Sequence, residues 1–89
     1  MPDLNQRVEL SFTEEEDRTR ADAILELRDE RFHGFGQAKR APEDPSVPLV
    51  GEELAAARAL SDLAHKLLDA AAERIDRFPS PRGTPDTPR

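Results

Sequence analysis

Two histidines, four serines and one acidic run are the side chains of this sequence best suited to catalysis or ion binding. A metal-binding or acid–base histidine pair needs partner ligands or an HExxH-type spacing; His33 and His65 have neither, and there is no cysteine to complete a zinc set. Ser11, Ser46, Ser61 and Ser80 lie in no nucleophile elbow. The run Glu14-Glu15-Glu16-Asp17 lacks the alternating oxygen ligands and the glycine of a calcium loop, and reads as a solvated turn. Gly34-Phe35-Gly36-Gln37-Ala38-Lys39 has the first two glycines of a dinucleotide loop but not the third, and opens no helix. These patterns point to a protein that is not an enzyme, holds no cofactor and has no evident small-molecule substrate.

The elements that carry these residues follow from periodicity. Val8, Leu10 and Phe12 alternate with Arg7, Glu9 and Ser11, giving a half-buried strand over residues 6–13. After the acidic turn, Thr19, Ala21, Ala23, Leu25 and Leu27 face inward in a second strand over 19–27, with Asp29 and Glu30 as the next turn. A third strand over 31–41 places Phe32, Gly34, Gly36 and Ala38 on one face, the glycines leaving a groove where a helix backbone can approach. Residues 42–50 hold three prolines and read as an extended crossing.

A long amphipathic helix is expected over residues 51–78. Pro48 and Gly51 break what precedes it, Glu52 and Glu53 fall in its first turn, Arg74 and Arg77 in its last, and Pro79 ends it. Leu54, Ala57, Ser61, Ala64, Leu68, Ala71, Ile75 and Phe78 follow at alternating steps of three and four and form its apolar seam, with Leu60, Leu63 and Leu67 beside it and Ser61 kept small for close packing. At roughly 40 Å such a helix outreaches strands of about 30 Å, and an apolar overhang invites a second subunit. Leu60, Leu63, Leu67, Ile75 and Phe78 are therefore the candidates for helix or dimer packing.

The fold class is thus α+β: a three-stranded antiparallel sheet followed by one long C-terminal helix, β-β-β-α. It forms a single domain over residues 6–78, between a flexible segment (1–5) and a disordered proline-rich tail (79–89). A core built from fewer than eighty residues without disulfides is marginal, which again favours a homodimer. No stretch has signal-peptide or membrane-span character, so the expected place is the cytoplasm, away from membranes.

A net charge of −6 gives no long-range attraction to nucleic acid. The outward side of the sheet nevertheless offers Arg18, Arg20, Arg28, Arg31, Lys39 and Arg40 among Asp22, Glu26, Asp29 and Glu30, with Phe35 and Ile24 as its apolar residues. Of these, Arg18, Arg20, Arg28, Lys39 and Arg40 are the candidate nucleic-acid contacts.

The stretches Gly34-Phe35-Gly36, Val47-Pro48, Gly51-Glu52-Glu53-Leu54 and Ala57-Arg58-Ala59-Leu60-Ser61-Asp62-Leu63 resemble a family of small actinobacterial proteins of unassigned function, members of which belong to the mycobacterial dormancy (hypoxia) response. The likeness runs from about Val8 to Ile75, and departs where related first strands begin with a tryptophan and this chain has Gln6. The resemblance implies a double-stranded-RNA-binding-like fold, a dimer, and a shape like that of ribosome hibernation promoting factors. Two functions follow as expectations: a non-catalytic stress-associated dimer that contacts the ribosome or RNA, or a dimeric protein–protein adaptor that binds no nucleic acid.

Overall fold

The structure, a computed structural model, describes residues 5–41 and 47–77. Strands β1 (Val8–Glu15), β2 (Arg18–Leu27) and β3 (Glu30–Lys39) form an antiparallel sheet in sequence order, followed by helix α1 (Pro48–Arg77). Glu15 pairs with Arg18 and Leu27 with Glu30, so both hairpins turn on two residues. Glu16 and Arg28 take left-handed backbones there, with φ of 50° and 55°. A positive φ at the first turn residue matches the twist of the flanking strands, and neither position has the glycine that adopts it without cost. The first turn is tighter than the sequence suggests, with Glu14 and Glu15 staying in β1, and the second is shifted by one residue to Arg28-Asp29.

The expected alternation holds in β2 and β3. Ala21, Ala23 and Leu25 are buried on one face, directly across from Gly36, Gly34 and Phe32, and Ala38 is buried on the same face across from Thr19. The two glycines serve packing, and the phosphate-loop possibility falls away. A Cβ on Gly34 would collide with the Leu63 amide nitrogen and lie 2.6 Å from the Ala59 carbonyl oxygen. A Cβ on Gly36 would lie 2.5 Å from the Ala59 nitrogen. The helix backbone therefore rests on the glycine track itself, closer than any side chain permits.

That close approach corrects the expected seam. The helix row on the sheet is Ala55, Ala59 and Leu63, with Leu67 partly buried, whereas Leu54, Ala57, Ser61, Ala64, Leu68, Ala71 and Ile75 are all exposed. A glycine–alanine floor at contact distance brings the helix backbone itself onto the sheet, so the row led by Ala55 and Ala59 faces inward, with Leu63 seated by its backbone over Gly34. Leu60 and Ile75 do not pack on the sheet, Leu63 does, and Phe78 lies outside the described residues. Ser61 is exposed, its carbonyl accepting a 3.0 Å bond from His65 Nδ1.

The helix also starts earlier than expected. Pro48 does not break it but opens it, since a first-turn position needs no N–H and suits proline's fixed φ. The Val50 amide reaches the Val47 carbonyl at 3.0 Å, and the helix passes through Gly51 without interruption. Glu52 and Glu53 consequently fall beyond the first turn, which holds no acidic residue, while Arg74 and Arg77 occupy the last as expected. Most of the acidic and proline-rich connection, the tail and residues 1–4 lie outside the described residues.

The helix runs antiparallel to β3, with Ala59 over Gly36, Leu63 over Gly34 and Arg74 bonded to Glu30 at 2.9 Å. It packs on β3 and β2. Its flank seals the free edge of β3 with three polar side chains. Arg58 donates to the Gln37 carbonyl (2.9 Å), Asp62 accepts from the Phe35 amide (2.9 Å), and Lys66 donates to the His33 carbonyl (2.7 Å). Lys66 and Asp62 also pair at 3.1 Å, and the Phe35 amide first and Lys66 second hold the Asp62 carboxyl below its ordinary pKa.

Candidate binding surface

Strand alternation divides the sheet into a helix side and an outer side. On the outer side, within the paired strands, stand Glu9, Glu15, Arg18, Arg20, Asp22, Glu26, Arg31 and Lys39. Four cations meet four carboxylates, so this face carries no net charge, although the chain as a whole is acidic. Phe35, exposed at its centre, lies directly across from Asp22, and His33 across from Ile24.

Asp22 organises the centre. Its carboxylate receives Arg20 Nη2 at 2.9 Å and Nε at 3.1 Å, a two-pronged contact between residues two apart on the same strand face. From β3, His33 Nε2 approaches the same carboxylate to 2.7 Å, and since a carboxylate only accepts, that nitrogen carries the proton facing it. These contacts pull the Asp22 carboxyl down to about 2, the Arg20 hydrogen bonds contributing most and His33 next. Arg20 is raised in turn, chiefly by its bond to Asp22. Its guanidinium carbon also sits 4.6 Å over the Phe35 ring centroid. Arg20 is thus pinned flat between a carboxylate and an aromatic ring, with an in-plane pair of donors already used.

The five candidate nucleic-acid contacts do not come together. Arg18 pairs directly with Lys39, and Arg40 follows, its amide bonded to the Asp17 carbonyl at 2.8 Å. Arg20 is the next outward residue along β2 but is committed to Asp22. Arg28 occupies the β2–β3 turn at the opposite end of the sheet, about 30 Å from Arg18 along the strand. What remains at one end is a small corner of Arg18, Lys39 and Arg40.

The Arg20–Asp22–His33–Phe35 cluster was not singled out by sequence reasoning. Its signal was present: Arg-x-Asp on one strand face makes a local pair, but the cross-strand partners depend on the hairpin register. Among the described residues no group of three or more His, Cys, Asp or Glu converges to hold a metal ion. Among the described residues no helix is long and apolar enough to cross a membrane.

Comparisons with known proteins match this chain to the Rv2632c-like family over residues 5–83, and it belongs to that family. It is 42% identical over 69 residues to the uncharacterized protein Mb1767 of Mycobacterium bovis, covering 78% of this chain and 73% of that one. It is 39% identical over 70 residues to the uncharacterized protein Rv2632c of Mycobacterium tuberculosis, with coverage of 79% and 75%. The crystal structure of Rv2632c superposes with a TM-score of 0.81 at 34% identity, covering 91% of this chain and 98% of the other.

Proposed function

We propose that this Rv2632c-like chain is a non-catalytic protein–protein adaptor, acting as a homodimer, whose outer sheet face docks a partner protein. The observation that carries this is the charge-balanced outer face with Phe35 exposed at its centre and Arg20, Asp22 and His33 fixed around it. Protein interfaces favour a desolvated aromatic and arginine centre inside a polar rim, with charges of both signs to set register. The partner that fits presents an apolar pocket for Phe35 ringed by alternating charges. A photo-reactive amino acid at position 35 in the native cell should cross-link to one protein species, and Arg20→Glu in the same tagged chain should abolish that product. Cross-links to RNA instead would overturn the adaptor function.

A second function rests on the corner where Arg18 faces Lys39 with Arg40 beside it. In it, a stress- or dormancy-associated dimer contacts the ribosome or its RNA, as hibernation factors do. Co-sedimentation with ribosomes that weakens steeply with salt, and is lost in an Arg18→Glu, Lys39→Glu double variant, supports this alternative. Absence of pelleting at low salt rejects it.

A further inference from the structure

Among the described residues, many of the large apolar side chains lie on the surface, while the core is mostly alanine. Five of the seven buried core residues are alanines, joined by Leu25 and Leu63. Val8, Leu10 and Phe12, on the helix side of β1 directly across from Leu25, Ala23 and Ala21, remain 37–43% exposed because the helix packs on β2 and β3. On the helix, Leu54, Leu60, Leu68 and Ile75 are 40–69% exposed.

We propose that a second copy of this chain covers these surfaces by seating the outer ridge of its α1 on the bare helix side of β1, while its own β1 receives the first copy's ridge. The ridge is the row Leu54, Ala57, Ser61, Ala64, Leu68, Ala71 and Ile75, on the side of the helix turned away from its own sheet. Its strict three–four spacing is the repeat of a helix that packs lengthwise against a neighbour. The result is a three-layer assembly, sheet, two adjacent helices, sheet, in which each helix is held between its own β2–β3 and the other copy's β1. Leu60, on the helix flank, then faces the second helix.

Two observations select a second copy over any other occupant. Among the described residues the core is five alanines and two leucines with Leu27, Phe32 and Leu67 packed against it, which is marginal for a chain of this length and favours a cover that joins the fold itself. The molecule also carries both halves of the contact, a ridge and a bare stripe, as a two-fold pairing requires. The seven exposed side chains leave roughly 600 Å² of apolar surface per copy, approaching the ~800 Å² per partner of a standard stable interface. A groove lined by Leu27, Phe32, Leu67, Ala70, Ala71 and Gln6 continues this surface toward the start of β1.

This inference rests on the dimeric part of the function proposed above, and the test separates the two. The full chain should sediment as a dimer at micromolar concentration, and Leu68→Glu should shift it to monomer with loss of thermal stability. Where that variant fails to fold, cysteine cross-linking decides, because the natural chain has no cysteine. A Leu10→Cys preparation mixed with an Ala64→Cys or Leu68→Cys preparation should form the mixed disulfide in high yield after subunit exchange. A dimer that yields only the Leu10–Leu10 product pairs through strand edges, which overturns the seating but leaves the dimer intact. A monomeric mass overturns both, without touching the binding assigned to Phe35.

Discussion

The two outer strands of this sheet are finished differently. β3 lies under the helix, its glycines touch helix backbone, and its free edge is closed by Arg58, Asp62 and Lys66. β1 is exposed along all eight residues and carries Val8, Leu10 and Phe12 on the side a helix would cover. The same three-stranded meander thus has one side built to native closeness and one left open. The difference teaches where this small chain concentrates its internal packing and where it leaves apolar surface open.

The largest expected effect lies on the closed side. Gly34→Ala places a methyl against Leu63 and Ala59 backbone that cannot withdraw, and should cost about 3 kcal/mol, enough to unfold much of the population in a chemical denaturation series. On the open side Leu10→Ala removes three carbons, yet it should matter little in a lone chain because Leu10 is already 37% exposed there. A comparable loss at Leu10, greatest at high protein concentration, would show that the open side is covered in solution.

Asp62→Asn tests the edge seal. The Phe35 amide should exchange with solvent several-fold faster, while amides shared between β2 and β3 keep their protection. Uniform acceleration would mean the helix, not the seal, had been disturbed.

The outer face predicts a pH effect. Asp22 titrates near 2 in the folded chain against an ordinary 3.8, so the folded state binds its proton less readily than the unfolded state. Its stabilising contribution is full above about pH 4 and falls away as pH drops from there toward 2. Asp62, also lowered, contributes in the same direction. Asp22→Asn should flatten the part of this acid slope that belongs to the outer face, as read by thermal melts across the range.

The smallest effects belong to the turns. Glu16→Gly and Arg28→Gly each relieve a left-handed residue and should stabilise by about 0.5–1 kcal/mol. Equal gains would show that the contrast between β1 and β3 arises in packing and not in the hairpins that join them.

The strands and their inward faces were legible because alternation is a local signal: Ala21, Ala23 and Leu25 needed only their neighbours. The glycine groove of Gly34 and Gly36 was legible for the same reason. The phase of the helix was not. Two apolar rows overlap on α1, and the longer one with its unbroken three–four spacing attracts attention, yet the glycine track opposite demands the row of Ala55 and Ala59. That constraint comes from tertiary contact, although a groove of glycines already argued for small residues against it. Pro48 was misjudged because a proline that ends one helix can open another, and only the position of the first turn tells them apart. On the candidate surface, Arg20, Asp22 and Phe35 were each placed on the correct face. Their joining into one cluster required the Asp22–Phe35 register, which depends on a two-residue turn at Arg28-Asp29, one residue earlier than expected.

The seal on β3 also sets a limit on growth. A sheet with two open backbone edges can extend by strand pairing on both sides, whereas closing β3 leaves that pairing possible only along β1. Arg58, Asp62 and Lys66, three ordinary surface residues on a helix flank, therefore act as chain terminators.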